Sequence, residues 1–451
     1  MEKVSIDVLI LGSGTAGQTA AAALAGHGLS VGLADSGDFG GTCALRGCQP
    51  KKYLVVPAHA ALEGKALVGR GFRNHPELVW EKMQKARKEF TDAVPQGTKD
   101  YLTSLGVQVF DNSAEFLDVD TFRVGAITLK PQRVLIATGA RPRPLVIPGG
   151  EFALSSDDFL YQDDLPDHLV FIGGGYISLE FATVALAAGK RVSLVHRGSG
   201  IMEPFDPDLV AILQNRYTEE GIRLYLNDSP TSIEQDSKGF TVVLESGERV
   251  KADRVFANLG RIPNTDSLGV GKGNILLERG AIQVSPGMRT SNPRVYAAGD
   301  CTVGIQLAPV SDAQARIAAH NILEDITNAP GRYKDLNLDV LPTVVFTYPQ
   351  LAQFGYSESR ALACSKKVRI NRGSGAGWPN YRRLNEKTME YKIMIDEESG
   401  QILGAHILAP QAGELINLLA LAALQGISAQ DFAEIPWAYP TYTADLKYML
   451  G

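Results

Sequence analysis

The chain carries one phosphate-cradling pattern twice, at the same internal spacing, and few folds accommodate that. The first copy runs from an apolar strand, Ser5 to Leu11, into GSGTAG, where Gly12, Gly14 and Gly17 have the G-x-G-x-x-G spacing. An Ala-rich helical stretch follows to about Gly26, and a second strand, Leu29 to Ala34, ends at Asp35, 23 positions beyond Gly12. In that context glycines let the backbone approach a pyrophosphate at a helix N-terminus, and the acid accepts from ribose hydroxyls. The second copy begins at His168. Its strand leads into Gly173, Gly174 and Gly175, a helix opens at Tyr176, and Ser178 stands where the third glycine would be. The next strand, Val192 to Val195, ends in His196-Arg197, and His196 again lies 23 positions beyond the first glycine. The pattern predicts an α/β chain with two Rossmann-like dinucleotide-binding domains.

The copies differ at their last position. Asp35 in the first suits ribose hydroxyls. The second has no acid there and carries Arg197 one step on, with Glu203 in the same loop. An acid repels a 2′-phosphate and an arginine suits one, so the second copy is expected to prefer NADPH over NADH. The duplication extends further: RVLIATGARP, Arg133 to Pro142, resembles RVFANLGRIPN, Arg254 to Asn264, and each ends its unit.

At 451 residues the chain exceeds one ordinary core, and two to four domains are expected. Hydrophobic residues at 45% and charged residues at 21% are those of a soluble globular protein. The net charge of −6, without a basic run, argues against nucleic acid or an anionic membrane as partner. The longest apolar run, Leu415 to Leu424, is too short to span a bilayer. The first residues lead directly into a strand without the plan of a signal peptide, so a cytoplasmic location is expected.

Between the copies lies GGTCALRGCQPKK, Gly40 to Lys52. It holds Cys43 and Cys48; the other cysteines are Cys301 and Cys364. A disulfide closing so short a loop is worth roughly 2 kcal/mol, little for a chain this long. A zinc site wants about four ligands, and no second cysteine or histidine pair has ligand spacing, so redox chemistry is favoured over metal binding. Pro50 suits the start of a helix through Lys51, Lys52 and Tyr53. A helix N-terminus and nearby lysines both favour thiolate. Cys301, after a strand ending in YAAGD with Asp300 at its tip, reads as a buried small hydrophobe. From about Leu336 the pattern changes to an α+β unit without a nucleotide motif.

GGTC-x3-GC-x-PKK, ATGARP, GGGY-x3-E, GRIPN and AAGD stand in order over nearly the whole length. On these motifs the chain resembles the class I pyridine nucleotide-disulfide oxidoreductases, the group of glutathione reductase, dihydrolipoamide dehydrogenase and mercuric reductase. The resemblance implies an FAD-binding domain in two parts, 1–148 and 265–335, an NAD(P)-binding domain, 149–264, and a dimerisation domain, 336–451, that makes a homodimer. It implies that Cys48 faces the flavin and that Cys43 is the interchange thiol attacking substrate. Lys52 and Glu180 would pair beside the flavin N5, and Tyr176 would gate the nicotinamide pocket. Asp35 and Asp300 would contact the FAD ribose and ribityl chain. Other motif residues it places at the cofactors are Gly12, Gly14, Gly17, Gly41, Thr42, Thr138, Gly139, Gly173, Gly175, Arg197 and Gly260. The electron path would run from NADPH through flavin to a Cys43–Cys48 disulfide and on to substrate.

One motif departs. Where the family has a histidine before Pro-Thr and a glutamate five residues later, this chain has Tyr439 and Ala444. No histidine follows His406, and Asp445 is one residue late, about 100° around a helix. A positioned acid-base is worth ~10² to 10⁴ in rate, and a tyrosine of pKa near 10 is a weak base at neutral pH. Slow turnover with glutathione disulfide or lipoamide is therefore expected. Mercuric reductases resemble the chain in having tyrosine there, but a C-terminal cysteine pair is absent from Tyr448-Met449-Leu450-Gly451. The acceptor is expected to be a small-molecule or protein disulfide, with a soft metal ion, a quinone taking electrons from flavin, or a non-catalytic redox-sensing role as alternatives. Tyr439 itself reads equally as catalytic or as interface packing.

Overall fold

Each glycine fingerprint follows the first strand of a parallel sheet in the computed structural model, which describes residues 6–328, 332–364 and 367–451. Ser5, the expected start of the first strand, lies outside the described residues. The chain divides into two compact units. The first comprises Met1–Tyr53, Lys85–Arg143 and Gly260–Asn337; the second comprises Leu54–Gln84, Pro144–Leu259 and Leu338–Gly451.

In the first unit, β1 (Val8–Leu11) is buried along its whole length and pairs in parallel with β2 (Val31–Ala34) and with the strand Arg133–Ile136. Gln108–Phe110 and Val295–Ala297 complete a five-stranded parallel sheet. Strands covered on both faces read as continuous Val, Ile and Leu, which is how these were recognisable. α1 (Thr15–Gly26) turns Ala16, Ala20 and Ala21 into a core shared with Ala315, Ala318 and Ala319 of the helix Ala308–Thr327. Their small side chains let the two helices approach closely. Two further helices carry the cysteines: α2 (Gly41–Leu45) and α3 (Cys48–Ala66), the latter with Pro50 in its first turn, where a missing N–H costs no helical bond.

The second unit repeats this plan. His168–Ile172 pairs in parallel with Arg191–His196 and Arg254–Ala257, and Arg223–Leu226 adds a fourth parallel strand. The copies agree even in their insertions. A three-stranded antiparallel sheet precedes Arg133–Ile136 (Ala114–Asp118, Thr121–Val124, Ile127–Leu129), and another precedes Arg254–Ala257 (Pro230–Asp236, Gly239–Leu244, Arg249–Ala252). Residues 54–84, grouped by sequence with 1–148, pack in the second unit, because Leu54, Val55, Ala58 and Met83 share a core with Phe159, Phe171 and Phe181.

The last part of the chain is a five-stranded antiparallel sheet ordered Thr343–Val345, Gln350–Gly355, Ile402–Ala409, Glu390–Asp396, Val368–Ser374. Helices Ala412–Leu424 and Tyr442–Leu450 bury Leu415, Leu419, Leu446 and Met449 with Phe354, Ile393 and Ile407 of the sheet. Each such side chain is worth about 1.5–3 kcal/mol on burial. Lys392, buried on this sheet, meets Asp206, Asp208 and Glu358 at 2.8, 2.6 and 2.7 Å. A buried ammonium persists only with such partners, and no sequence pattern announced them.

Candidate active site

The Gly40–Lys52 segment is laid across the first glycine loop, residue by residue. Gly40 and Gly41 have φ of +125° and +69°, values that favour glycine. The Gly40 N–H donates to Ser13 Oγ at 3.2 Å. A Cβ on Gly41 would lie 2.4 Å from Gly14 Cα, so the two backbones touch. Both cysteines are free thiols: Cys43 is half-buried on α2 and Cys48 is exposed at the first position of α3.

The neighbouring Cys48 thiol, together with burial, pushes the Cys43 thiol up. Thr15 and the Lys51 ammonium act in the opposite direction. At Cys43, Cys48 and burial outweigh the lysine. The lysine that acts on Cys43 is Lys51.

Around this pair the first unit offers a donor and acceptor set that fits a dinucleotide. Gly12 has φ +110° and a Cβ there would lie 2.3 Å from Ala137 O, while one on Gly17 would lie 1.9 Å from Gly12 O. Gly14 caps α1 without a side-chain hydrogen bond, and the first turn carries no acid, so its N–H groups are open to an anion. Asp35, at the end of β2, accepts from Ser13 N–H at 2.7 Å and Ser13 Oγ at 2.6 Å through Oδ2, and from Gly37 N–H at 2.9 Å through Oδ1. A carboxylate has about four lone-pair sites, which leaves capacity for a ribose hydroxyl. Thr138 donates to Asn264 O at 2.7 Å, Asn264 Nδ2 returns to Thr138 O at 3.0 Å, and Asn264 N–H donates to Gly139 O at 2.9 Å. The two arginine-proline motifs thus lock together as the antiparallel pair Arg261–Pro263 and Ala140–Pro142. Gly260, read from sequence as the close of the second copy, belongs to this first unit. Arg261 donates to Ala140 O at 2.5 Å and to Thr42 Oγ1 at 3.3 Å. Asp300 accepts from Ser311 Oγ at 3.4 Å; burial pushes its carboxyl up, against the pull of Arg261. Ser13, Thr15, Arg261 and Ser311 were not singled out from sequence. The first two occupy variable positions of the glycine motif, Arg261 is a fixed letter of GRIPN, and Ser311 has no signal.

The second fingerprint has the same geometry with different chemistry. A Cβ on Gly173 (φ +116°) would lie 2.3 Å from Asn258 O, as Gly12 does from Ala137. Gly175 caps the helix Tyr176–Ala187 without a side chain, and that first turn too lacks an acid. Tyr176 is 41% exposed. Glu180 is buried and its Oε1 accepts from Phe346 N–H at 2.9 Å. At the position of Asp35, His196 Nδ1 accepts from Gly174 N–H at 3.1 Å, with Nε2 3.9 Å from Glu203. Burial holds this imidazole below the usual histidine range, so it is neutral with its proton on Nε2. Arg197 is exposed beside it.

Lys52 lies on α3, one turn beyond Cys48. Tyr439 is 72% exposed. Thr441 caps the last helix, its Oγ1 accepting from Ala444 N–H at 3.2 Å. Asp445, already a poor stand-in by register, is buried and takes a hydrogen bond from Asn380 Nδ2 at 2.7 Å.

Two dinucleotide cradles, a dithiol laid on the first, and an antiparallel C-terminal sheet describe a disulfide-handling flavoprotein scaffold, and comparison with known proteins agrees. The chain belongs to the pyridine nucleotide-disulphide oxidoreductases: that family's model matches residues 6–315, and the model of its dimerisation domain matches residues 341–450. Glutathione reductase of Nostoc sp. is 29% identical over 98% of this chain and 99% of its own length. Dihydrolipoyl dehydrogenase of Geobacillus stearothermophilus is 30% identical over 97% and 94%. Among solved structures, the HOCl-induced flavoprotein disulfide reductase RclA from Escherichia coli superposes with a TM-score of 0.89 at 25% identity, covering 98% of this chain and 99% of that one. A Cu(II) complex of RclA gives 0.87 at 26% identity. The chain is accordingly a flavoprotein disulfide reductase with a C-x4-C pair, and the family implies FAD and a pyridine nucleotide. Its dimerisation domain implies a homodimer. No helix among the described residues is long and apolar enough to cross a membrane. No group of three or more His, Cys, Asp or Glu among them is arranged to hold a metal ion.

Proposed function

We propose that this reductase takes electrons from NADPH and releases them through Cys43 and Cys48 to a disulfide whose leaving thiol needs little proton assistance. The observation that carries this reading is the pair itself: two free thiols on a segment laid over the first glycine loop. Residues 1–148 and 265–335 would hold FAD, with Gly12, Gly14, Gly17, Gly41 and Thr42 at the pyrophosphate side, Asp35 at the ribose, and Thr138, Gly139 and Asp300 along the chain to the ring. When bound, FAD accepts hydride from the nicotinamide and passes two electrons to the enzyme disulfide. Lys52 would supply positive charge near the ring. Residues 149–264 would hold the nicotinamide cofactor, with Gly173 and Gly175 shaping its path and Tyr176 shielding the pocket. His196 supports NADPH: no carboxylate stands at this position to repel a 2′-phosphate, its Nδ1 is spent on Gly174, and Arg197 follows it. Residues 336–451 would form the dimer interface.

In the outward half-reaction the Cys43 sulfur bonds one substrate sulfur as the substrate S–S bond breaks. Cys48 then displaces that sulfur, the enzyme disulfide re-forms, and two thiols leave with the two protons. Tyr439, in the place of the family's histidine, is a weak base for this step. The likeness to RclA, solved as a Cu(II) complex, favours a second reading in which a metal ion is the acceptor. One dithiol would then reduce two Cu(II) to Cu(I), re-forming the disulfide and releasing two protons. Anaerobic NADPH titration of the oxidised enzyme is expected to produce a long-wavelength absorbance band. Absence of the band, or its survival in Cys48→Ser, would overturn the relay. A panel of disulfides, Cu(II) and quinones, assayed with NADPH and NADH, decides the acceptor.

A further inference from the structure

The loop that leaves the second fingerprint is tied at three points, and one of these ties requires a proton. Met202 N–H donates to Gly174 O at 2.9 Å, which joins the loop to the glycine turn. Gln353 Nε2 donates to Pro204 O at 3.0 Å, and Lys392 Nζ meets Asp206 at 2.8 Å. Gln353, His406 and Lys392 stand opposite one another on adjacent strands, so they form one row on one face of the C-terminal sheet. His406 is buried in that row, with Nδ1 3.1 Å from Gln353 Oε1 and Nε2 3.0 Å from Tyr356 O.

This hydrogen-bond chain ends in a backbone carbonyl on both sides, Tyr356 and Pro204, and a carbonyl only accepts. Gln353 therefore gives an N–H to Pro204 and turns its oxygen to His406, which must donate through both ring nitrogens. A neutral imidazole has one N–H and leaves one link unmade. We propose that His406 and Gln353 are a proton-dependent anchor for the loop from Arg197 to Asp206, complete when His406 is an imidazolium, and that they position this loop for the nicotinamide cofactor. This rests on the reading that Arg197 meets the 2′-phosphate of NADPH. The groups around His406 are divided. Burial, with Lys392, holds the ring below the usual histidine range, against the Tyr356 carbonyl and Asp206. Lys392 also meets Asp208 and Glu358, and Arg372, next in the row, pairs with Glu358 at 2.9 Å. The anchor is therefore complete in mild acid and is released as pH rises toward neutrality.

The test uses FAD-loaded enzyme, with calorimetric titration of 2′,5′-ADP and hydrogen exchange of the peptide spanning residues 198–206, both at pH 5 and at pH 8. Gln353→Met cannot bridge, and is expected to bind 2′,5′-ADP about three- to tenfold more weakly than wild type at pH 5 and equally at pH 8. The ligand and His196 titrate in both proteins, so they cancel in this ratio. Gln353→Glu keeps an acceptor for His406 but has no N–H for Pro204, and is expected to match Gln353→Met at pH 5. Exchange of the loop peptide should be faster in both variants than in wild type at pH 5, and equal to it at pH 8. A difference that stays constant with pH overturns the proposal, because the contact would then be structural and indifferent to the proton. Wild-type binding and exchange in Gln353→Glu at pH 5 also overturn it. Wild-type enzyme that binds 2′,5′-ADP no more tightly than 5′-AMP would overturn the NADPH reading instead, while loop exchange continues to report the anchor.

Discussion

The two glycine fingerprints share a backbone and differ in one interaction. In each, the residue between the first two glycines donates its N–H to the side chain that closes the second strand: Ser13 to Asp35, Gly174 to His196. In each, the first glycine lies against the carbonyl of the third strand's last turn, Ala137 or Asn258. The acceptor alone is exchanged. An aspartate still has lone pairs to offer a hydroxyl, whereas a neutral imidazole accepting through Nδ1 has only a donor left. On the proposed reading, the fold sets where a nucleotide lies and this one side chain sets which substituent it tolerates. The first copy also carries what the second lacks, a cysteine segment resting on its loop.

The comparison breaks most sharply at its shared element. Gly12→Ala and Gly173→Ala each place a Cβ 2.3 Å from a carbonyl oxygen at positive φ, a cost of roughly 2–6 kcal/mol from strain and overpacking together. Gly12→Ala is expected to lose flavin and with it every activity. Gly173→Ala is expected to keep flavin, still reducible by dithionite, and to lose NADPH binding. Flavin content and NADPH titration separate the two, and equal flavin loss in both would refute a division of labour between the copies. Next in size is the segment found on one copy only. Cys43→Ala should lower disulfide or metal-ion turnover by about 10³-fold or more, as expected when a covalent route is removed, while quinone turnover with NADPH persists. Survival of disulfide turnover would make the cysteine segment incidental.

The exchange of acceptors gives a smaller, more pointed effect. His196→Asp places in the second copy the acid of the first, where it can accept from Gly174 N–H and repel a 2′-phosphate. Loss of a charge-assisted contact is worth about 1.5–3 kcal/mol, so the ratio of NADPH to NADH affinity should fall by roughly 10- to 100-fold. Calorimetric titration with 2′,5′-ADP and 5′-AMP reads this without turnover. An unmoved ratio would transfer the selectivity to Arg197.

These contrasts were partly legible beforehand. Glycine spacing and the Asp35 to His196 correspondence come straight from residue order, because strand, loop and helix follow one another locally. The parallel sheets were legible for a related reason: strands buried on both faces are continuous runs of Val, Ile and Leu. What sequence could not supply were contacts closing over long separations. The lock of Thr138 on Asn264 and the Lys392 cluster with Asp206, Asp208 and Glu358 join residues that no period or spacing relates. The upward shift of the Cys43 thiol had no signal in the sequence for the same reason. Helix and lysine effects are local and countable, whereas the Cys48 influence that outweighs them depends on how α2 and the start of α3 are set against each other.

The smallest expected effect concerns protons. His196 is held below the ordinary histidine value of 6.5 chiefly by burial, with Arg197 adding to this and Glu203 and the Gly200 backbone opposing it. His168, in the same sheet, is lowered by burial, Arg191 and Arg223, against Asp253. A histidine depressed in the folded state binds protons more readily when unfolded. Its contribution to stability is therefore complete above about pH 6.5 and is lost as pH falls from there toward the folded value. Protonation of His196 also requires Nδ1 to give up Gly174, so acid should loosen the second glycine loop before the first. His196→Asn keeps an acceptor for Gly174 without titrating. Thermal melts from pH 7.5 to 5 should show a shallower decline of Tm for His196→Asn than for wild type, with the residual slope carried in part by His168. Identical slopes would mean that His196 does not titrate in this window, and would leave its hydrogen-bonding, rather than its charge, as the whole of the difference between the two copies.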